Sequence, residues 1–158
     1  FVNAMNTLVL HEDVRLVRSG TPPPDQPGCV ITCYLQTREV WIITPPPPGA
    51  APEFVNMAHE LGHDHQQKIR ESQGKSTWEE TTEFQEFRTT LDAFNTWLRS
   101  IGEPEWTQDS YELLANFFAG YILGDPSFIN EPPDWNNWVP NPYQFPEWKA
   151  YYDTWARR

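Results

Sequence analysis

The sequence is short of cations. Eleven Lys and Arg stand against 22 Asp and Glu in 158 residues, a formal net charge of −11. A surface of that sign repels phosphate backbones and anionic lipid, so no nucleic-acid partner is expected, and a basic segment would be favoured on approach. Long apolar runs are missing too. None nears the roughly 18 residues that a membrane helix needs, so no membrane insertion is expected. No secretory signal is visible, and the chain opens at Phe1 as a processed product or an excised piece would. Cysteine is scarce: only Cys29 and Cys33 occur, too few for a disulfide framework. If CVITC is a strand, the two thiols share a face about 13 Å apart. A disulfide needs Cα atoms within about 7 Å, so two buried free thiols are expected. Aromatic residues, by contrast, reach 15 %, with eight Trp. A disordered chain would be poor in them, and the length suits one folded domain spanning 1–158.

Proline divides the chain. Pro22–Pro24 with Pro27, Pro45–Pro48 with Pro52, and six prolines between Asp125 and Pro146 cannot lie in helix interiors or central strands. Between the breaks, Val14–Arg18 alternates as a short strand. Cys29–Gln36 and Glu39–Thr44, separated by Thr37 and Arg38, read as an antiparallel hairpin. The second run is nearly all apolar, as a strand covered on both faces would be. From Pro52 the pattern turns helical to about residue 71. A second helix begins at Ser76 or Thr77, where Glu79 and Glu80 complete a capping box in either register. Phe84, Phe87, Leu91, Phe94 and Leu98 form its apolar stripe. A third helix spans about 109–123, and a short last one is expected around 147–157. Strands followed by helices make the fold class α+β. Trp135, Trp138, Trp148 and Trp155 are expected to fasten the Pro-rich tail by packing.

His59-Glu60-Leu61-Gly62-His63 is an H-E-x-x-H motif within the first helix. Histidines four apart stack on one helix face, so both imidazoles can reach one zinc ion. Glu60 is one step round the helix and can serve as general base toward a metal-activated water, passing the proton to a leaving amine. Gly62 costs a helix about 1 kcal/mol against Ala, so a close neighbour is expected beside it. A catalytic zinc wants a third protein ligand. Glu112 is the candidate: it opens a helix that is apolar almost all round, and it shares a face with the small residues Ala115 and Ala119. That face would pack on the His59/His63 helix, and Asn116 one turn on could hold a ligand His in place. Glu79, Glu80, Glu83 and Glu86 are rivals, with Glu83 and Glu86 expected to face solvent. Asp64 and His65 are read as exposed polar residues, and His11 as structural.

HELGH followed by ELLANFFAGYILGDP resembles the gluzincin branch of the zincin metallopeptidases. The second segment is similar to the corresponding helix of anthrax lethal factor-like catalytic domains and of small regulatory zinc peptidases. The resemblance covers about 52–126. It implies His59, His63 and Glu112 as zinc ligands, Glu60 as general base and Asn116 in the family's acidic supporting position. It implies a zincin fold, a small N-terminal antiparallel or mixed sheet on an active-site helix with a mainly helical remainder. A peptide or protein substrate would add to the sheet edge as a strand. Glu39–Thr44 could be that edge, although its apolar sequence suits a central strand. The chain departs from the metzincin pattern, since Asp64-His65-Gln66-Gln67 follows His63. The tyrosine that precedes the third ligand in lethal factor-like domains is absent from Glu105-Trp106-Thr107, leaving Tyr111, Tyr121 and Tyr143 as oxyanion candidates. The expected function is a zinc metallopeptidase, a hydrolase, in the role of a secreted or delivered toxin or effector domain. The alternatives are a zinc-bound interaction or sensing module with little peptidase activity, and a structural protein without metal.

Overall fold

The computed structural model describes residues 13–50, 53–102, 105, 110–123 and 150. Three strands precede three helices. They are β1 (Arg15–Ser19), β2 (Thr32–Leu35), β3 (Glu39–Ile43), α1 (Glu53–Ser72), α2 (Thr82–Ser100) and α3 (Ser110–Leu123), with a 3-10 turn at Trp78–Glu80. The sheet order is β1-β3-β2, so the apolar run is the central strand and, among the described residues, β2 is an edge. β3 pairs parallel with β1 and antiparallel with β2. The class is α+β with a small mixed sheet.

Period-2 alternation gives β3 a helix-facing side. Val40 and Ile42 are buried there with Tyr34, and Met57 of α1 packs against them. Glu39, Trp41 and Ile43 on the opposite side are half-buried, so β3 is fully covered on one face rather than two. The hairpin loop is 36–38. Arg38 takes the left-handed conformation at φ 60, and its N–H bonds to the Leu35 carbonyl at 2.8 Å. A three-residue hairpin loop requires that conformation at its last position.

The expected free thiols are a disulfide: Cys29 and Cys33 are joined, with Cα atoms 6.1 Å apart. Regular strand begins only at Thr32, and the bend before it shortens the distance that a fully extended CVITC would span.

α1 has Glu53 in its first turn and Arg70 in its last, matching the helix dipole. Of its eight buried residues, five are polar: Glu60, His63, Asp64, Gln66 and Gln67. Buried polar groups are costly unless bonded, so this helix must carry a built network. Asp64 is therefore not the exposed residue expected. It is fully buried, accepts from the Tyr34 hydroxyl at 2.8 Å, and faces Lys68 and Arg38. His65 is half-buried and stacks on Phe118, with ring centroids 5.0 Å apart.

α2 starts later than expected. Thr81 caps it by accepting from the Phe84 N–H at 3.1 Å, while Thr77 makes no side-chain cap. Trp78 is 4 % exposed, and its burial in the helical core draws 78–80 into a separate turn. Glu83 is buried rather than solvent-facing, and the Gln73 amide donates to it. Phe87, Phe94 and Leu98 join Leu113, Leu114, Phe118 and Ile122 of α3 in the main core. α1 thus lies between the sheet and α3.

Against α3, Gly62 makes the close approach that its presence suggests. A Cβ there would sit 2.7 Å from Ala115 Cα. Among the described residues, no helix is long and apolar enough to cross a membrane. His11, Tyr143, the four tail tryptophans and all of 147–157 except Ala150 lie outside the described residues.

Candidate metal centre

One turn of α1 brings His59 and His63 together, with Nε2 atoms 3.1 Å apart and rings nearly perpendicular at 89°. The close seam at Gly62–Ala115 presses α3 against this turn. It delivers Glu112, whose Oε2 lies 3.2 Å from His59 Nε2 and whose Oε1 lies 3.6 Å from His63 Nε2. Tetrahedral zinc with ligands at about 2.0–2.1 Å sets ligand atoms roughly 3.3 Å from one another. The three observed separations bracket that value.

The hydrogen bonds behind the rings decide what they present in front. Asn116 Oδ1 is 2.8 Å from His59 Nδ1, and Gln66 Oε1 is 2.9 Å from His63 Nδ1. The orientation of Gln66 is fixed because its Nε2 donates to the Tyr111 carbonyl at 2.8 Å. Its oxygen must therefore face His63, whose Nδ1 carries the proton. A neutral imidazole protonated at Nδ1 has its lone pair at Nε2. With Asn116 accepting from His59 in the same way, two lone pairs and a carboxylate converge on one point. Three electron-pair donors without a hydrogen between them suit a cation.

The His59 bond holds the Glu112 carboxyl far below the usual carboxylate range, and His63 adds to it. Burial opposes charge on His59, but the bond to Glu112 and the charges of Glu60 and Glu112 outweigh it and raise its pKa. Glu112 is half-exposed, its side chain 51 % accessible, which leaves one side of the cluster open to solvent.

Glu60 is 5 % exposed and accepts from the Thr32 hydroxyl at 2.9 Å. The possible ligand atoms of His59, Glu60 and His63 lie within 4.8 Å of one another. The cluster opens into a cleft of about 450 Å³ between β2 and the α1–α3 pair. Gln26, Thr32, Tyr34 and Tyr111 line it. Tyr111 lies flat on His63, with centroids 4.5 Å apart and planes 16° apart. The phenol of Tyr34 is kept protonated by burial and by Asp64, and its hydroxyl is turned away to Asp64 and Gln67.

The structure thus brings His59, Glu60, His63, Glu112, Asn116 and Tyr111 to one place. Tyr121 belongs to α3, but its side chain, like all of Tyr143, lies outside what is described. Glu79, Glu80, Glu83 and Glu86 are not among the lining residues. Sequence reasoning missed Gln66 and Thr32. Gln66 had a signal, being three residues beyond His63 and therefore on the same helix face. Thr32 had none, since only the fold brings it over Glu60. Comparison of the chain with family models, with curated proteins and with solved structures finds no match.

Proposed function

We propose that this chain is a zinc-dependent peptidase of zincin type. The observation that carries the reading is the convergence of two Nε2 lone pairs and the Glu112 carboxylate at tetrahedral spacing. His59, His63 and Glu112 would hold the ion. Zinc, when bound there, supplies a Lewis acid that polarises a peptide carbonyl and lowers the pKa of water.

The protein's own groups do the rest. Glu60 accepts the proton of the attacking water on its carboxylate and returns it to the leaving amine. Thr32 holds one oxygen of Glu60 and so aims the other. Asn116 and Gln66 keep both imidazoles in the tautomer that faces the cleft. Of the tyrosine candidates, Tyr111 is described and lines the cleft. The edge position of β2, with Thr32 over Glu60, supports the zincin arrangement, in which an extended peptide pairs with the sheet edge. The acidic chain favours a basic peptide.

The test is metal analysis followed by turnover on a peptide library. We expect about one zinc per chain in the wild type and none in a His59→Ala/His63→Ala double variant. Glu60→Gln should keep the zinc and lose cleavage by at least a hundredfold, the scale of a lost general base. Zinc binding with no cleavage by the wild type would instead support a binding or sensing module. The flat stacking of the Tyr111 ring on His63 is the observation on that side.

A further inference from the structure

The open edge of β2 is not free along its length. Ile43 donates to the Ile31 carbonyl at 2.8 Å, and the β2–β3 register pairs Cys33 with Trp41 and Leu35 with Glu39. In an antiparallel ladder, hydrogen-bonded pairs alternate with non-bonded ones. Residues 31, 33 and 35 therefore turn their backbone groups toward β3. Thr32 and Tyr34 turn theirs outward, to the edge that borders the cleft. The outward carbonyl of Tyr34 is already taken: Gln26 Nε2 donates to it at 3.2 Å.

Gln26 is held there from three sides. Its N–H bonds to the Pro23 carbonyl and its carbonyl accepts from Cys29 N–H, both at 3.0 Å. Pro22, Pro23, Pro24 and Pro27 stiffen the segment. The Cys29–Cys33 disulfide ties its far end to β2 itself.

We propose that Gln26 is a specificity-determining residue, closing the β2 edge so that the cleft accepts peptides cut close to one end. The inference rests on the peptidase reading. Thr32 touches Glu60, so the reacting bond lies opposite Thr32. An extended chain rises about 3.3 Å per residue, which places Tyr34 and its cap about 7 Å further along. A substrate strand paired at Thr32 meets the Gln26 strap after about two residues in that direction. In the other direction the outward backbone groups of Thr32 have no hydrogen-bond partner among the described residues. The substrate class is therefore a peptide with one long arm and one arm of one or two residues.

The experiment compares the zinc-loaded wild type with Gln26→Ala on a degenerate 12-residue peptide library, reading product lengths by mass spectrometry and zinc content in parallel. The wild type should release pieces of one or two residues. Gln26→Ala should shift cleavage to internal bonds, with kcat/KM for those bonds raised on the order of tenfold, the scale of one displaced hydrogen bond. Reducing the disulfide with a dithiol, which converts Cys29 and Cys33 to thiols and oxidises the reductant, should shift the products the same way. Internal cleavage by the wild type, with the same distribution as Gln26→Ala, would overturn this inference and leave the peptidase reading standing. No turnover by a wild type carrying one zinc per chain would overturn the peptidase reading, and this inference with it.

Discussion

At His63 the two ring nitrogens have separate employers. Nδ1 gives its proton to Gln66, so Nε2 is left with a lone pair for the cleft. Gln66 is 1 % exposed and spends both ends of its amide, one on the ring and one on the Tyr111 carbonyl. Gln66→Ala should therefore act twice. Zinc affinity should fall about 10- to 100-fold, as when a group orienting a ligand His is lost, which chelator competition would measure. Stability should fall by about 1–3 kcal/mol, because a buried amide and its bond to the half-buried Tyr111 carbonyl are lost, which urea unfolding of the metal-free protein would show. Unchanged chelator competition would remove Gln66 from the site. His59, Glu60 and His63 were legible in the sequence because helical spacing is written into residue numbers, whereas Glu112 was picked out by its place on the small-residue face of another helix and by the family resemblance. Gln66 was only half legible: its side of the helix follows from spacing, but its second bond, to a carbonyl 45 residues away, follows from nothing local.

At the scale of elements, the α1–α3 seam governs the site. Gly62→Ala would improve helix propensity by about 1 kcal/mol. It would also drive a methyl to 2.7 Å from Ala115 Cα, a backbone atom that cannot swing away. Overpacking of this kind costs about 1–3 kcal/mol, and separating the helices would carry Glu112 away from the two imidazoles. We expect a lower melting temperature and weaker zinc binding together; gain of stability with full zinc binding would show that the seam is loose. Helix and strand periods gave the elements their places, including the central run and the small-residue face of α3. What periodicity did not reveal were two boundaries set by tertiary packing. Burial of Trp78 moved the cap from Ser76 or Thr77 to Thr81, and the bend ahead of Thr32 brought Cys29 within reach of Cys33.

Across the whole molecule, excess negative charge gathers round few cations. Arg38, at the tip of the hairpin, pairs with Asp13 and with Glu71 of α1, and so ties sheet to helix. The Gln67 amide, with Arg38, holds the Glu71 carboxyl below its ordinary value; Lys68, with Arg38, does the same for Asp13. A carboxyl whose pKa is lower folded than unfolded adds stability above the unfolded value. That stability is lost as pH falls through the folded value. The window lies below about pH 4.5, where these carboxyls titrate in the unfolded chain. Arg38→Gln should therefore destabilise the protein at pH 7 and converge with the wild type near pH 3, measured by thermal unfolding across that range. Both carboxylates are about half-exposed, so the difference should be modest and should shrink in high salt. A gap that stays constant with pH would mean that Arg38 acts through packing alone. None of this cluster was legible beforehand, because its members come from the segment before β1, a hairpin tip and a helix end.

The placement of Glu112 opposite His59 and His63 has a topological consequence. The chain's one covalent cross-link closes a ring of only a few residues, which restrains an unfolded chain little. An ion shared by α1 and α3 would close a ring of about fifty residues, with all of α2 inside it, and loop-closure entropy grows with ring size. The bound ion would then be the long-range staple of this chain, and the disulfide a local one. On the proposed reading, stripping the metal would remove the largest loop constraint along with the proposed chemistry.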